Sequence, residues 1–318
     1  MSLNYLHHHK DFPELLRILE DETGIQAGLI EKDYWIMHVL HGLKKQGFEF
    51  HLKGGTSLSK GYKIIDRFSE DIDIYIKPPS GRNVNENPRS TKINSVQSRK
   101  DFYDWLAEEI KIDGIVKAER DHAFDDPKYY RSGGIRLVYE SSTGSIAGVK
   151  EGILLEVGFD TVTPGNTLTI SSWAYDRAVG VTALSFLDNR AKDISCYHPG
   201  YTFVEKLQTI ATKFRQEQSD GVKRPNLMRQ YYDVCSLLND PLVQEFIGTE
   251  EYKVHKQERF PPADLVVPIA ENEAFLLGAP ELRAEFKKRY KETAALYYKG
   301  QPDFNELLNR LKEYVDRL

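Results

Sequence analysis

Residues 71 to 76, Asp-Ile-Asp-Ile-Tyr-Ile, alternate strictly, with isoleucine at every second position. A period of two predicts a β-strand that sends Asp71 and Asp73 to one face and Ile72, Ile74 and Ile76 into a core. Neighbouring carboxylates on one face repel each other, and one of them must take up a proton unless a cation lies between them. Oxygen-only ligands suit Mg²⁺ or Mn²⁺. The plainer reading of the same alternation is a solvated strand edge.

What precedes this strand narrows the choice. A short strand over Phe48 to Leu52 leads into the pair Gly54-Gly55 and then into a helix expected from Thr56 to Ile65. Glycine lets a backbone approach a ligand closely, and a helix start offers unpaired N–H groups to a phosphate. A phosphate cradle followed by metal-binding carboxylates is the minimum apparatus for phosphoryl or nucleotidyl transfer.

The rest of the chain reads as an α/β half followed by a helical half. Two helices are expected between residues 12 and 47, split near Gly24 to Gly28. A polar loop covers Pro78 to Ser95, and a helix follows from Gln97. Strands are expected over Tyr129 to Tyr139, Gly152 to Asp160 and Thr167 to Trp173, where β-branched and aromatic residues crowd between turn residues. Further on, helices are expected over Thr202 to Gln216, Asn226 to Leu238, Pro280 to Tyr298 and Phe304 to Leu318. The expected domains are a catalytic one over residues 1–195, with a mixed or antiparallel sheet and N-terminal helices, and a helical one over 196–318.

Composition excludes several classes. The net charge of −5 over 318 residues advertises no general nucleic-acid binder, though it leaves room for a local basic patch. Two cysteines, Cys196 and Cys235, supply neither a disulfide framework nor a zinc spacing and read as packing residues of a cytoplasmic protein. No apolar run is long enough for a membrane span. The run His7-His8-His9 is too short to read as a metal site, and none of the nine histidines falls in a metal or triad spacing.

The segment LKGGTSLSKGY followed by RFSEDIDI resembles the glycine-loop and D-x-D motif of the polymerase-beta-like nucleotidyltransferases, and more narrowly the AbiEii/AbiGii toxin family. EKDYW (Glu31 to Trp35), EKL (Glu205 to Leu207) and R-x-x-Y-D (Arg229 to Asp233) follow the same family order. The resemblance implies a nucleotidyltransferase toxin of a type IV, abortive-infection toxin–antitoxin system. It implies Asp71 and Asp73 as metal ligands, and Gly54, Gly55, Ser57 and Ser69 against the nucleotide. Lys206 would reach the phosphates and Asp233 would complete the site from the helical half. Where relatives often carry an acidic residue after the arginine, this chain has Gln230. The superfamily implies a third carboxylate on a neighbouring strand, for which Glu156 is the candidate and Asp160 the competitor. It could serve as a base or a further ligand; a solvent-facing residue is the plain alternative.

The implied reaction moves a nucleoside monophosphate from an NTP to an acceptor hydroxyl, with RNA, plausibly a tRNA 3′ end, as acceptor and an antitoxin as partner. Two alternatives stay open: a toxin or sensor that binds nucleotide without transfer, and nucleotidylation or phosphorylation of a protein, Ser69 included. Several residues carry two readings. Thr202-x-x-Glu205 fits a helix capping box. Arg67 either steadies phosphate or pairs with Glu70 or Asp66. Lys60 and Lys63 are expected on one helix face which, with Arg67 and Lys77, would draw in a nucleotide or be merely solvated. Tyr129, Tyr130 and Arg131 either stack a base or pack in a strand.

Overall fold

The computed structural model describes residues 3–144, 150–160, 162–180, 185–224 and 226–318. The chain divides into two compact units, residues 1–62 with 69–197, and residues 63–68 with 198–318.

The first unit is built on a seven-stranded mixed sheet. Its strands are β1 (Phe50–Leu52), β2 (Asp71–Ile76), β3 (Ile115–Asp121), β4 (Ser132–Tyr139), β5 (Ile153–Gly158), β6 (Pro164–Ile170) and β7 (Ala191–Tyr197), in the spatial order β3-β4-β5-β2-β1-β7-β6. The acidic strand β2 lies in the middle, antiparallel to β1 and parallel to β5. Ile72, Ile74 and Ile76 are buried as the alternation requires. Strand β5 adds Ile153, Leu154, Leu155 and Val157, apolar on both faces because it is covered on both.

Helix α1 (Phe12–Thr23) starts with Pro13 in its first turn and stops at Gly24, whose φ of 72° is the left-handed cap that glycine adopts without strain. Helix α2 (Ala27–Lys45) is buried on nearly every side, from Ile30 to Leu43, which explains its weak amphipathic pattern.

The helix expected over Thr56 to Ile65 starts earlier and ends sooner. A single turn, α3 (Gly54–Thr56), runs directly into a π-wound turn over Ser57–Gly61, and the helix ends there. Lys63 has a left-handed φ of 58°, so Lys60 and Lys63 do not share a helix face. Helix α4 (Ile93–Glu109) packs on β3 and β4, and α5 (Trp173–Val179) packs against α2. Strands β3 and β7 carry no expectation from sequence. The half-exposed edge strand β3 reads IVKAERD, and β7 contains Lys192 and Asp193, the latter at φ 54°, so charges mask the alternation in both. Tyr129, Tyr130 and Arg131 precede β4 rather than lying in it, and Arg131 covers the Tyr129 ring at 4.7 Å.

The second unit is helical. Helix α6 (Pro199–Asp220) starts one turn before the expected place: His198 is its N-cap, accepting from the Gly200 N–H at 3.1 Å, and Pro199 follows in its first turn. Thr202 and Glu205 therefore form no capping box. Thr202 is buried inside the helix, and Glu205 lies 3.7 Å from His255. Helix α7 (Leu227–Leu237) follows, then further helices that include Pro241–Phe246, Glu250–Arg259, Pro280–Lys291 and Phe304–Lys312. The helix expected to reach Tyr298 ends at Lys291, and the chain beyond it pairs with residues 66–68. Leu296 O accepts from Phe68 N at 2.8 Å, and Tyr298 N donates to Asp66 O at 3.2 Å. These bonds place residues 63–68 in this unit.

Candidate active site

Parallel pairing of β2 with β5 sets Asp73 opposite Glu156 and Asp71 opposite Leu154. The three carboxylates of Asp71, Asp73 and Glu156 therefore share one face of adjacent strands, each half-buried. Burial first, then the charges of Asp73 and Asp71, push the Glu156 carboxyl up to about 8. Burial and the neighbouring Glu70 also raise Asp71. The competitor Asp160 lies beyond the end of β5, half-exposed and 3.7 Å from the Lys53 ammonium.

The glycine turn is built against this cluster. Gly54 has φ +62°, and a Cβ there would stand 1.8 Å from Asp73 Oδ2. Both the backbone and the space thus require glycine. Lys53 N donates to Asp73 O at 2.8 Å, and Thr56 Oγ1 donates to Asp71 O at 2.6 Å, so the turn is anchored along the acidic strand. Gly55 and Ser57 are buried beside it. The Cys196 thiol, raised by burial to about 11, faces the Ser57 hydroxyl and is inert as a nucleophile. Ser69 is half-buried two residues before Asp71.

Gly54→Ala is expected to displace the Asp73 carboxylate, costing about 1–3 kcal/mol in strain and on the order of 10²-fold in transfer rate. Single-turnover kinetics beside thermal unfolding checks this; full activity in the variant would show that the close approach is unnecessary.

The raised Glu156 makes a pH prediction. Its folded pKa of about 8 exceeds the ordinary 4.5, so the folded protein holds a proton that the unfolded chain has released. Stability without divalent cations should therefore fall as pH rises from about 4.5 to about 8, by on the order of a few kcal/mol. Urea unfolding in chelator at pH 5.5 and 8.5 measures it, and Glu156→Gln should flatten the dependence. An equally steep fall in that variant would assign the effect to other groups.

Basic residues that the sequence reading passed over surround the cluster. Lys32, Lys150 and Arg136 each act to lower Asp71 against burial. Lys32 is 2% exposed, donates to Lys150 O at 2.7 Å and lies 3.9 Å from Glu70. Burial lowers its pKa. The neighbouring residues of EKDYW are tethers: Glu31 accepts from Ser141 Oγ, Ser142 N and Thr143 Oγ1 at 2.8, 2.8 and 2.7 Å, and Asp33 binds Lys60 at 2.6 Å. Three consecutive charged residues inside an apolar helix were the available signal, since such residues are buried only when paired. Lys60 is thus engaged within the fold, and Lys77 pairs with Glu49 at 2.8 Å.

Arg67 pairs with neither Glu70 nor Asp66. Within the second unit it holds Asp233 in a two-pronged ion pair, Nε to Oδ1 and Nη2 to Oδ2, both at 2.6 Å. Lys206 Nζ donates to the same Oδ2 at 2.6 Å and to Gln230 Oε1 at 3.3 Å. Burial acts to raise Asp233, but Arg67 and Lys206 outweigh it and hold the carboxyl below its ordinary value.

A mixed sheet that lines carboxylates of adjacent strands along a glycine turn has the parts that nucleotidyl transfer needs. The profile of the family described as nucleotidyl transferase AbiEii toxin, type IV TA system, matches residues 42–313, and the chain belongs to that family. Solved structures similar to it include MenT4, a nucleotidyltransferase toxin from Mycobacterium tuberculosis, at 16% identity over 91% of this chain and 90% of that one, TM-score 0.44. An antigenic nucleotidyltransferase-like protein from Paracoccidioides brasiliensis is similar at 12% identity over 74% of this chain and 97% of that one, TM-score 0.34. No curated protein matches the chain. Among the described residues no helix is long and apolar enough to cross a membrane.

Proposed function

We propose that the chain transfers a nucleoside monophosphate from an NTP to an RNA hydroxyl, the 3′ end of tRNA being the favoured acceptor, and that Mg²⁺ or Mn²⁺ is its cofactor. The observation that carries this reading is the set of carboxylates Asp71, Asp73 and Glu156 on adjacent strands, facing the glycine turn. The donor set fits a divalent cation: it is all oxygen, and after burial the charges of Asp73 and Asp71 raise Glu156. Asp71 and Asp73 would hold the ion. When bound, it supplies positive charge that orients the triphosphate and offsets charge on the leaving pyrophosphate.

The protein's own groups do the rest. The Ser57 hydroxyl offers a donor to a phosphate oxygen, and the bare Gly54-Gly55 backbone admits that phosphate close to Asp73. Ser69 contacts the nucleotide from the entry to β2. Glu156 is the candidate to accept the proton of the attacking hydroxyl, because it stands opposite Asp73 on the adjacent strand and a cation held by Asp71 and Asp73 would offset the charges that favour its protonated form. The family resemblance extends the catalytic set to Lys206 and Asp233, an assignment to be measured with Lys206→Met. As a toxin the protein would act in the cytoplasm, restrained by a separately encoded antitoxin; two buried free cysteines suit that compartment.

The test is incubation with Mg²⁺, each α-labelled NTP in turn and total tRNA, beside an Asp71→Ala/Asp73→Ala control. Label on RNA from the intact protein alone is expected, and it names the base. Label on the protein would redirect the reading to protein modification. Nucleotide binding without label anywhere would redirect it to a binding-only toxin or sensor.

A further inference from the structure

Far along the sequence from the acidic strand, three histidines converge on one aspartate. The turn Leu6–His8 carries His7 and His8, helix α2 carries His38, and Asp113 stands just before β3. His7 Nε2 lies 2.9 Å and His8 Nε2 2.5 Å from Asp113 Oδ1, while His38 Nε2 lies 2.9 Å from the Asp113 carbonyl oxygen. One ligand atom from each of His7, His38 and Asp113 falls within 4.8 Å of the others. Ligands around a tetrahedral zinc ion, at about 2.0–2.1 Å from it, stand roughly 3.3 Å apart, so small shifts suffice.

The groups behind the rings are arranged as a metal site needs. His7 Nδ1 meets the Tyr34 hydroxyl at 2.9 Å, and Asn189 Nδ2 reaches both that hydroxyl and His38 Nδ1 at 2.9 and 2.8 Å. Without an ion each Nε2 carries its proton toward Asp113. To bind one, each ring must move that proton to Nδ1, where something must accept it. The Tyr34 oxygen does so for His7. For His38 the Asn189 amide does so by turning over, and its Oδ1 is fully buried with no hydrogen-bond partner among the described residues. That oxygen then accepts from both Tyr34 and His38, and no net proton is released. Burial also keeps His7 and His38 uncharged, with pKa values pushed down to about 4 and about 3, and only neutral imidazole is a ligand. Asp113 is half-exposed, so an ion can reach its carboxylate from solvent.

We propose that His7 Nε2, His38 Nε2 and Asp113 Oδ1, completed by His8 Nε2, form a zinc site that fastens the Leu6–His8 turn to α2 and to the approach to β3. It is separate from the oxygen-only cluster of β2 and β5 and serves stability rather than transfer. Softer nitrogen ligands select Zn²⁺ over Mg²⁺.

The test uses the full chain carrying Asp71→Asn/Asp73→Asn, so that the acidic cluster does not compete, stripped with chelator and titrated with Zn²⁺ alone by calorimetry and native mass spectrometry. One ion per chain is expected, with a rise in Tm. Asp113→Asn and His7→Gln should each weaken binding at least about tenfold, and Tyr34→Phe should weaken it about 10-fold or more through the ring it orients. Should His7→Gln fold poorly, the half-exposed Asp113→Asn decides alone. No binding at micromolar Zn²⁺, or binding that survives Asp113→Asn unchanged, overturns the proposal and leaves the cluster a hydrogen-bonded network.

Discussion

Replacing Asp71 and Asp73 together by asparagine should reduce nucleotidyl transfer by on the order of 10³-fold or more, and should leave the metal-free protein at least as stable as its parent. The two halves of this outcome have one cause. Asp71, Asp73 and Glu156 crowd one face of two adjacent strands, and after burial it is the charges of Asp73 and Asp71 that push Glu156 up. Such repulsion costs stability in the absence of a cation and is retained for function. Amides keep the shape of the side chains and remove the charge, so repulsion disappears along with cation affinity. In the variant, Glu156 should lose the part of its shift that comes from Asp73 and Asp71 and keep the larger part that comes from burial, so the loss of stability between acidic and alkaline pH should shrink without vanishing. Initial rates with labelled NTP, beside thermal unfolding in chelator, measure both. A variant that retained transfer would remove the acidic strand from the mechanism. One that lost activity together with several degrees of Tm would show that these carboxylates are structural.

The second large effect belongs to the helical unit. Asp233→Ala should destabilise the protein by about 3–5 kcal/mol, because it strands the buried Arg67 guanidinium and the Lys206 ammonium without their shared counter-charge. A loss of that size corresponds to a fall in Tm of roughly 10 °C. Asp233 is 0% exposed and Arg67 only 5%, so water cannot replace the missing partner. The prediction separates a structural role from a purely catalytic one: a catalytic aspartate could be removed with little change in Tm. Converting Arg67 and Asp233 together to Met and Leu should recover much of the stability, since an apolar pair of similar volume often replaces a buried ion pair without loss. If the single variant melts within two or three degrees of the parent, the ion triad contributes little, and the role implied for Asp233 by the family resemblance becomes the better account.

What could be read before the fold was known, and what could not, divides along physical lines. Helices α1 and α2, the loop after Lys77 and the strand β2 announce themselves through glycine stops and alternation, signals contained within a few residues. The family, too, was legible, because its motifs are short and ordered. Signals went missing where a long-range contact overrides local pattern. Strand β7 is sheltered between β1 and β6 although its sequence carries Lys192 and Asp193. Beyond the Pro280–Lys291 helix, Leu296 and Tyr298 bond the backbone of residues 66–68, more than two hundred residues away along the chain.

The same line runs through the sites. By itself the sequence determined that Asp71 and Asp73 share a face and that a glycine turn precedes them, because side-chain direction along a strand follows from backbone geometry alone. Only the tertiary structure decided that Glu156, rather than Asp160, stands beside Asp73, since that depends on strand register between segments some eighty residues apart. It also decided that Arg67 belongs to Asp233, and that His7 and His8 meet His38 at Asp113. Charge partners and ligand sets are properties of distance in space, and separation along the chain carries almost no information about them until the core has packed.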